Sequence, residues 1–153
     1  MNSMDSSPDA DALRGDPSAI GWRRRSLPGF AGLIGPVWTR KEEAGWAYGV
    51  RATADHLNPA GLVHGGLLTT LVDHALSAIA WEALGRRACL TVQLDTQFLA
   101  AACEGQFLEA RGRVVRATST LVFVQGRLSV AGTERVTASA ILKAIAKPSP
   151  ATP

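Results

Sequence analysis

Apolar residues recur at three- and four-residue steps in the middle of the chain, between Leu67 and Ala80. This spacing places them on one face of a helix, with the other faces left small and nearly uncharged. The residues are Leu67, Leu68, Leu71, Val72, Ala75, Leu76, Ile79 and Ala80. The pattern predicts a helix that opens at Gly65-Gly66, runs to about Leu84 and buries this face.

Alternation of apolar and polar residues on both sides of the helix predicts β-strands. Two strands precede it, over 37–40 and 45–54, and four follow it, over 90–100, 106–116, 118–130 and 134–145. In the first strand after the helix, the alternation predicts that Leu90, Val92 and Leu94 share one face and that Thr91 lies on the other. Six strands enclose one helix only as a curved antiparallel sheet, which predicts an α+β fold.

The two ends of the chain differ in composition from its middle. Residues 1–26 are polar and lack periodicity, so we expect a disordered tail there. Residues 27–147 are the expected folded domain, and 148–153 a C-terminal tail. A short helical turn at the start of the domain is expected to place Phe30 and Leu33 against the core or an acyl pocket.

The composition limits the classes of function. The 153 residues are 46% hydrophobic with a net charge of +3, and the arginines are dispersed, which argues against a nucleic-acid surface. Cys89 and Cys103 lack metal-ligand spacing, so we expect free thiols in a reducing compartment and no metal. Neither a signal-peptide pattern nor an apolar run of roughly eighteen residues is found. We therefore expect a cytoplasmic protein that does not bind membranes.

Asp73 carries the only formal charge between His64 and Trp81. Aspartate is a poor helix former, and this one lies too far along the helix to act as its cap. The helix opens with two glycines, whose backbone N–H groups can approach a ligand that carries developing negative charge. The pattern favours a catalytic carboxylate near an oxyanion-binding helix start, while a hydrogen bond to a neighbouring hydroxyl is the structural alternative.

The stretch from Asn58 to Asp73 contains Asn-x-x-Gly-x-x-His-Gly-Gly, followed by an aspartate nine residues after the histidine. This pattern resembles the signature of hotdog-fold acyl-coenzyme A thioesterases of the phenylacetate-pathway (PaaI-like) type, and the resemblance extends more loosely over residues 28–146. It implies a curved sheet wrapped around one central helix. It also implies hydrolysis of acyl-CoA to free acid and CoA, with no cofactor other than the CoA that the substrate carries.

The resemblance implies a role for each motif residue. The Gly65 N–H would polarise the thioester carbonyl, with Asn58 and His64 beside it. Asp73 would be the general base or the nucleophile, and Thr91, eighteen residues later, its hydroxyl partner. Asn58 and Gly65 of one subunit would face Asp73 and Thr91 of another, so a homodimer would be the smallest active unit, and a homotetramer stays open.

Further candidate substrate contacts are Gly66 and the turn after Arg116. Arg116, Thr118 and Ser119 offer a guanidinium, hydroxyls and backbone donors that suit the phosphates of CoA. An ordinary solvated hairpin is the alternative interpretation of this turn.

Two other functions remain compatible with the pattern. A non-catalytic acyl-CoA binding or sensing module is one, because a fold alone does not fix function. A hotdog-fold dehydratase or hydratase is the other. The retained Asp73 favours the thioesterase, and the absence of a Gly-x-Ser-x-Gly motif argues against a serine hydrolase.

Overall fold

A computed structural model describes residues 13–145 and shows one long helix lying on a seven-stranded antiparallel sheet. The strands are β1 (Arg23–Arg25), β2 (Val37–Glu42), β3 (Gly45–Arg51), β4 (Cys89–Phe98), β5 (Phe107–Ala117), β6 (Leu121–Val130) and β7 (Thr133–Ala144). The helices are α1 (Phe30–Leu33) and α2 (Gly65–Ala83), with 3₁₀ turns at Pro17–Ile20 and Ala54–His56. The sheet order is β1-β2-β3-β5-β6-β7-β4. The predicted α+β fold is confirmed.

Helix α2 is the centre of the hydrophobic core. Its buried residues are Leu67, Leu68, Leu71, Val72, Ala75, Leu76 and Ala80. Gly112 in β5 lies directly opposite Gly126 in β6. A Cβ at these two positions would lie 2.5 and 2.6 Å from Cδ2 of Leu76. The glycine pair therefore lets the middle of α2 approach the sheet closely, and this contact sets the height of the helix above the strands.

A β-bulge in β4 changes which of its side chains face the helix. The register with β7 shifts directly after Thr91, which pairs with Leu142, whereas Leu94 pairs with Ala140. Leu142 and Ala140 are both buried, and residues opposite each other in antiparallel strands project to the same face. Thr91 and Leu94 therefore both face α2. The prediction that they lie on opposite faces is wrong, because the extra residue, Val92, shifts the alternation by one.

Residues 13–25 are part of the folded domain. Trp22 is 2% exposed and packs edge-to-face on Phe107, with ring centroids 5.0 Å apart. Arg51 donates hydrogen bonds to the main-chain oxygens of Leu13 and Gly15, and β1 pairs with β2. The prediction of a disordered tail is therefore wrong for residues 13–25, because one buried tryptophan and main-chain pairing hold a segment that has no periodicity. Residues 1–12 and 146–153 lie outside the described residues.

The short helix α1 does not bury the two residues that were expected to pack inward. Phe30 is 68% and Leu33 79% exposed. The flanking Leu27 and Ile34 contact the core instead. A single helical turn presents only one side to the sheet, and here its ends supply the apolar contacts.

A network of charges ties β2 to β5 on the sheet face away from α2. Glu42 accepts hydrogen bonds from Nε and a terminal nitrogen of Arg111, each at 2.8 Å, and from Arg40. Arg111 also donates to the buried Glu109 at 2.9 Å. The hydrogen bonds from Arg111 are the main reason that the pKa of Glu42 falls from 4.5 to about 2. Because this pKa is lower in the folded than in the unfolded chain, the carboxylate stabilises the fold above pH 5 and loses that effect as the pH falls towards 2.

We expect Glu42→Gln to lower the free energy of unfolding at pH 7 by about 2 kcal/mol, since it removes a charge-assisted pair of hydrogen bonds. The difference from the unsubstituted protein should shrink between pH 5 and pH 2, as measured by urea unfolding at each pH. Glu134→Gln is the control, because Glu134 faces Arg127 at 3.7 Å in an exposed pair. A pH-independent loss for Glu42→Gln would contradict the assignment.

Candidate active site

The loop before α2 is shaped by the side chain of Asn58. Its Oδ1 accepts hydrogen bonds from the backbone N–H groups of Ala60 at 2.9 Å and Leu62 at 3.2 Å. The Gly61 N–H donates to the Asn58 carbonyl, and Gly61 has a φ of 77°, which favours glycine. The Asn58 side-chain oxygen therefore stabilises the turn, and its NH₂ group, which is a donor, is left for other partners.

His64 caps the start of α2. The ring Nδ1 of His64 accepts a hydrogen bond from the Gly66 N–H at 2.8 Å. The backbone N–H of His64 donates to the His56 carbonyl at 2.8 Å. The neutral imidazole that accepts at Nδ1 carries its proton on Nε2. A Cβ at position 66 would lie 2.9 Å from His64 Nδ1, so glycine is needed there for the cap.

The cap leaves one backbone donor at the helix start. Gly66, predicted to contact substrate, has its N–H committed to His64. The Gly65 N–H has no acceptor among residues 13–145 and lies at the positive end of a 19-residue helix. Gly65 is therefore the donor of this pair that is open to an incoming oxygen.

Asp73 lies two turns further along α2 and is bound by the predicted partner. The Thr91 hydroxyl donates to Oδ1 of Asp73 at 2.8 Å. The bulge in β4 makes this contact, because it turns Thr91 towards the helix. Asp73 is half-buried and Thr91 exposed, so the carboxylate is open to a small molecule arriving from the β4 edge.

Two neighbours adjoin this pair, Ser77 on α2 and Cys89 on β4. Ser77 Oγ lies 3.4 Å from Thr91 Oγ1, and the Cys89 thiol donates to the Ser77 carbonyl at 3.8 Å. Burial raises the pKa of the Cys89 thiol, and Asp73 adds to the shift, so the thiol stays protonated. Sequence reasoning gave no role to Ser77, although its position four residues after Asp73 puts both on one helix face.

His74 takes no part in this cluster. Its ring packs edge-to-face on Tyr48, with centroids 5.7 Å apart. Burial lowers the pKa of His74 more than the adjacent Asp73 raises it, so the ring stays neutral. His74 therefore lies apart from the Asp73–Thr91 pair, with its ring engaged by Tyr48.

The two halves of the motif do not meet within one chain. Gly65 and Asp73 are eight residues apart on one straight helix, which separates them by about 12 Å. Phe98, at the far end of β4 from Thr91, lies over Gly65, and its ring would be 3.4 Å from a Cβ there. A single thioester carbon needs both groups within about 3 Å. The Gly65 N–H and the Asp73 carboxylate of one chain therefore lie at two separate places.

The predicted nucleotide contacts lie in the β5–β6 hairpin at the other end of α2. Arg116 pairs with Phe123 and is exposed. The Thr118 hydroxyl donates to the Leu121 carbonyl at 3.1 Å and accepts from two N–H groups, so its proton is committed within the turn. Arg87 donates to the Ser119 carbonyl at 2.6 Å. Arg116 and the Ser119 hydroxyl have no partner among residues 13–145, whereas Thr118 serves the turn.

Comparison with known proteins places this site in a family. The model of the thioesterase superfamily matches residues 60–137, which include Gly65, Asp73 and Thr91. A Pseudomonas aeruginosa protein that is provisionally named an esterase is 34% identical over 118 residues, or 76% of this chain and 86% of its own length.

Solved structures agree with the fold. A phenylacetic acid degradation-related protein from Ralstonia eutropha JMP134, provisionally named a thioesterase, is 30% identical over 90% of this chain and 99% of its own, with a TM-score of 0.67. A Bacillus halodurans protein solved with CoA has a TM-score of 0.72 at 20% identity, over 81% of this chain and 83% of its own.

These similarities confirm the predicted hotdog fold and the resemblance to PaaI-like proteins. Within residues 13–145, no helix is long and apolar enough to cross a membrane. The chain belongs to the thioesterase superfamily.

Proposed function

We propose that this protein is an acyl-CoA thioesterase that hydrolyses acyl-CoA to a free acid and CoA. The observation that carries the proposal is the Asp73 carboxylate, held by the Thr91 hydroxyl at 2.8 Å and open to small molecules. A non-catalytic module that only binds or senses acyl-CoA has no need for a half-buried carboxylate held in this way. The family match and the CoA in the Bacillus halodurans structure support the choice of substrate class.

The groups present suit the chemistry of thioester hydrolysis. The Gly65 N–H and the positive end of α2 bind the carbonyl oxygen as it gains negative charge, an effect that reaches about 3 kcal/mol for one donor. Asn58 offers its NH₂ group beside it. Asp73 either removes a proton from the attacking water or attacks the carbonyl carbon itself. In the first route the hydroxide of that water attacks the carbonyl carbon, the C–S bond breaks, and protonated Asp73 returns its proton to the CoA thiolate. In the second route the C–S bond breaks as Asp73 becomes acylated, and water then hydrolyses this mixed anhydride, which releases the free acid, restores the carboxylate and supplies the proton of the CoA thiol.

The site is completed by a second copy of the chain. The 12 Å separation estimated along α2 prevents Gly65 and Asp73 of one chain from acting on one carbonyl. Pairing of β4 with β4 of a partner about the middle of the strand, in the antiparallel sense, brings Phe98 of one chain towards Thr91 of the other. Because the Phe98 ring lies next to Gly65, the Gly65 N–H of one chain then faces the carboxylate of its partner.

The two edges of the sheet support this arrangement. The β1 edge is only three residues long and consists of the exposed arginines Arg23–Arg25, which discourage pairing. The β4 edge is ten residues long, and Leu90 and Val92 are each 60% exposed on it. A long, apolar, unpaired strand is the edge that another chain covers.

We expect Asp73→Asn to fold normally and to lose at least about two orders of magnitude in kcat, because the amide keeps the shape but not the basicity of the carboxylate. Thr91→Ala should lose about tenfold, since water replaces a positioning hydroxyl in part. Thiol release from a panel of aliphatic and aromatic acyl-CoAs measures both.

Asp16→Asn is the matched control, because Asp16 also accepts a hydrogen bond, from the Ser18 N–H at 2.9 Å, but belongs to the N-terminal segment. Near-normal turnover by Asp73→Asn would remove Asp73 from the chemistry. Tight binding of acyl-CoA without turnover by the unsubstituted protein would favour the sensing module.

We further propose that Arg116 and Ser119 contact the phosphates of CoA. The hairpin is linked to the start of β4, which is the end of that strand near Asp73. The Ala144 N–H donates to the Thr120 carbonyl at 2.7 Å, and Ala144 pairs with Cys89. Arg116 is exposed and carries a guanidinium that suits phosphate oxygens. The pantetheine arm would therefore run from the carboxylate towards this hairpin.

We expect Arg116→Ala to raise the KM for acyl-CoA about threefold to tenfold and to weaken its salt dependence, because a phosphate contact is lost. The kcat should not change, since the contact is equal in ground and transition states. Arg113→Ala, on the same strand, is the control, because Arg113 is engaged by Gln125 at 2.7 Å. An acyl-pantetheine substrate lacking the nucleotide should not respond to Arg116→Ala; an equal loss with it would show that Arg116 acts through the fold.

A further inference from the structure

A third hydroxyl adjoins the Asp73–Thr91 pair. Ser77 Oγ lies 3.4 Å from Thr91 Oγ1, which in turn lies 2.8 Å from Asp73 Oδ1. A threonine hydroxyl has one proton, and an ionised carboxylate only accepts. Thr91 must therefore give its proton to Asp73, so the contact between the two hydroxyls can form only with Ser77 as the donor. The three side chains make a directed chain that runs from Ser77 through Thr91 to Asp73.

The geometry of Ser77 differs from that of an ordinary helical hydroxyl. Serine and threonine inside helices commonly donate to the carbonyl four residues earlier. Thr70 of α2 does so, donating to the Gly66 carbonyl at 2.8 Å. Ser77 has no such bond to the Asp73 carbonyl among the described residues, and its Oγ is near Thr91 instead. The Ser77 carbonyl accepts from the Cys89 thiol, so both ends of this residue are tied to β4.

We propose that Ser77 is a positioning residue for hydrolysis, an inference that rests on the proposed function. By donating to Thr91 it fixes the rotation of the Thr91 hydroxyl, so that the proton points at Oδ1 of Asp73. The other carboxylate oxygen, Oδ2, is then the one available for water or the thioester. Successive hydroxyls also polarise each other, so Thr91 becomes a stronger donor to the carboxylate.

Ser77→Ala should lower kcat about threefold to tenfold and leave the KM within about twofold, because Ser77 acts on Asp73 rather than on bound substrate. Alanine is the better helix former, so the variant should keep its fold, as checked by thermal unfolding. Ser77→Thr retains a hydroxyl and should recover most of the lost turnover. A loss of equal size in Ser77→Thr, or a change confined to the KM, would overturn the proposal.

A double-mutant cycle with Thr91→Ala isolates the coupling. If Ser77 acts through Thr91, then Ser77→Ala should cost nothing further in the Thr91→Ala background. Full additivity of the two losses would overturn the proposal that Ser77 acts on Asp73 through Thr91. Normal turnover in Ser77→Ala alone would also overturn it. The proposed function has a separate criterion, because it fails if Asp73→Asn keeps its turnover. A loss of turnover in Asp73→Asn together with additive effects of Ser77→Ala and Thr91→Ala would refute the role of Ser77 and leave the proposed function standing.

Discussion

The close contact of α2 with the sheet determines every part of the candidate site. At the paired Gly112 and Gly126, no side chain separates Leu76 from the strands, so the helix is held at a fixed height along its buried face. A helix fixed in this way has a fixed start, where Gly65 presents its N–H, and a fixed flank, where Asp73 meets Thr91. The same rigidity keeps these groups about 12 Å apart, which leaves each chain with two half-sites.

Each half-site consists of groups whose other hydrogen-bonding capacity is already used. At the helix start, His64 accepts from the Gly66 N–H, and the Asn58 oxygen accepts from backbone N–H groups of the turn. The groups that remain there, the Gly65 N–H and the Asn58 NH₂, are donors. On the flank, Thr91 gives its proton to Asp73, so the remaining group there is an acceptor and a base. Donors on one chain and a carboxylate on its partner are what a thioester needs on its two sides. In the proposed dimer, the unpaired β4 edge between the halves of one chain is the surface through which two chains would bring them together.

Local patterns predicted the elements. Of the side-chain contacts between elements in the site, only the Asp73–Thr91 pair was predicted, and it came from the family resemblance. The helix follows from the three- and four-residue spacing of its apolar residues, and the motif around Gly65 and Asp73 is contiguous, so both were readable from the sequence. The bulge after Thr91 was not readable from the sequence, because the alternation of apolar and polar residues in β4 is compatible with a strand that has an extra residue and with one that does not. The order of residues 13–25 depends on Trp22 meeting Phe107 across the sheet, a contact that has no local signature. The four-residue spacing from Asp73 could have pointed to Ser77. That spacing matters only because the bulge turns Thr91 towards α2, where its hydroxyl lies near both residues.

The most direct test of the two-chain site is activity in mixed dimers of two inactive variants. Gly65→Pro removes the N–H at a helix position that tolerates proline, after a His64 backbone that is already extended, while Gly65→Ala keeps the N–H and is the control. Co-expression of Gly65→Pro with Asp73→Asn yields dimers in which one of two sites is intact, and random pairing predicts about a quarter of the unsubstituted kcat. Asp73→Asn co-expressed with Asp73→Ala should show no recovery. Activity in the first mixture no higher than in either variant alone would contradict a site shared between chains.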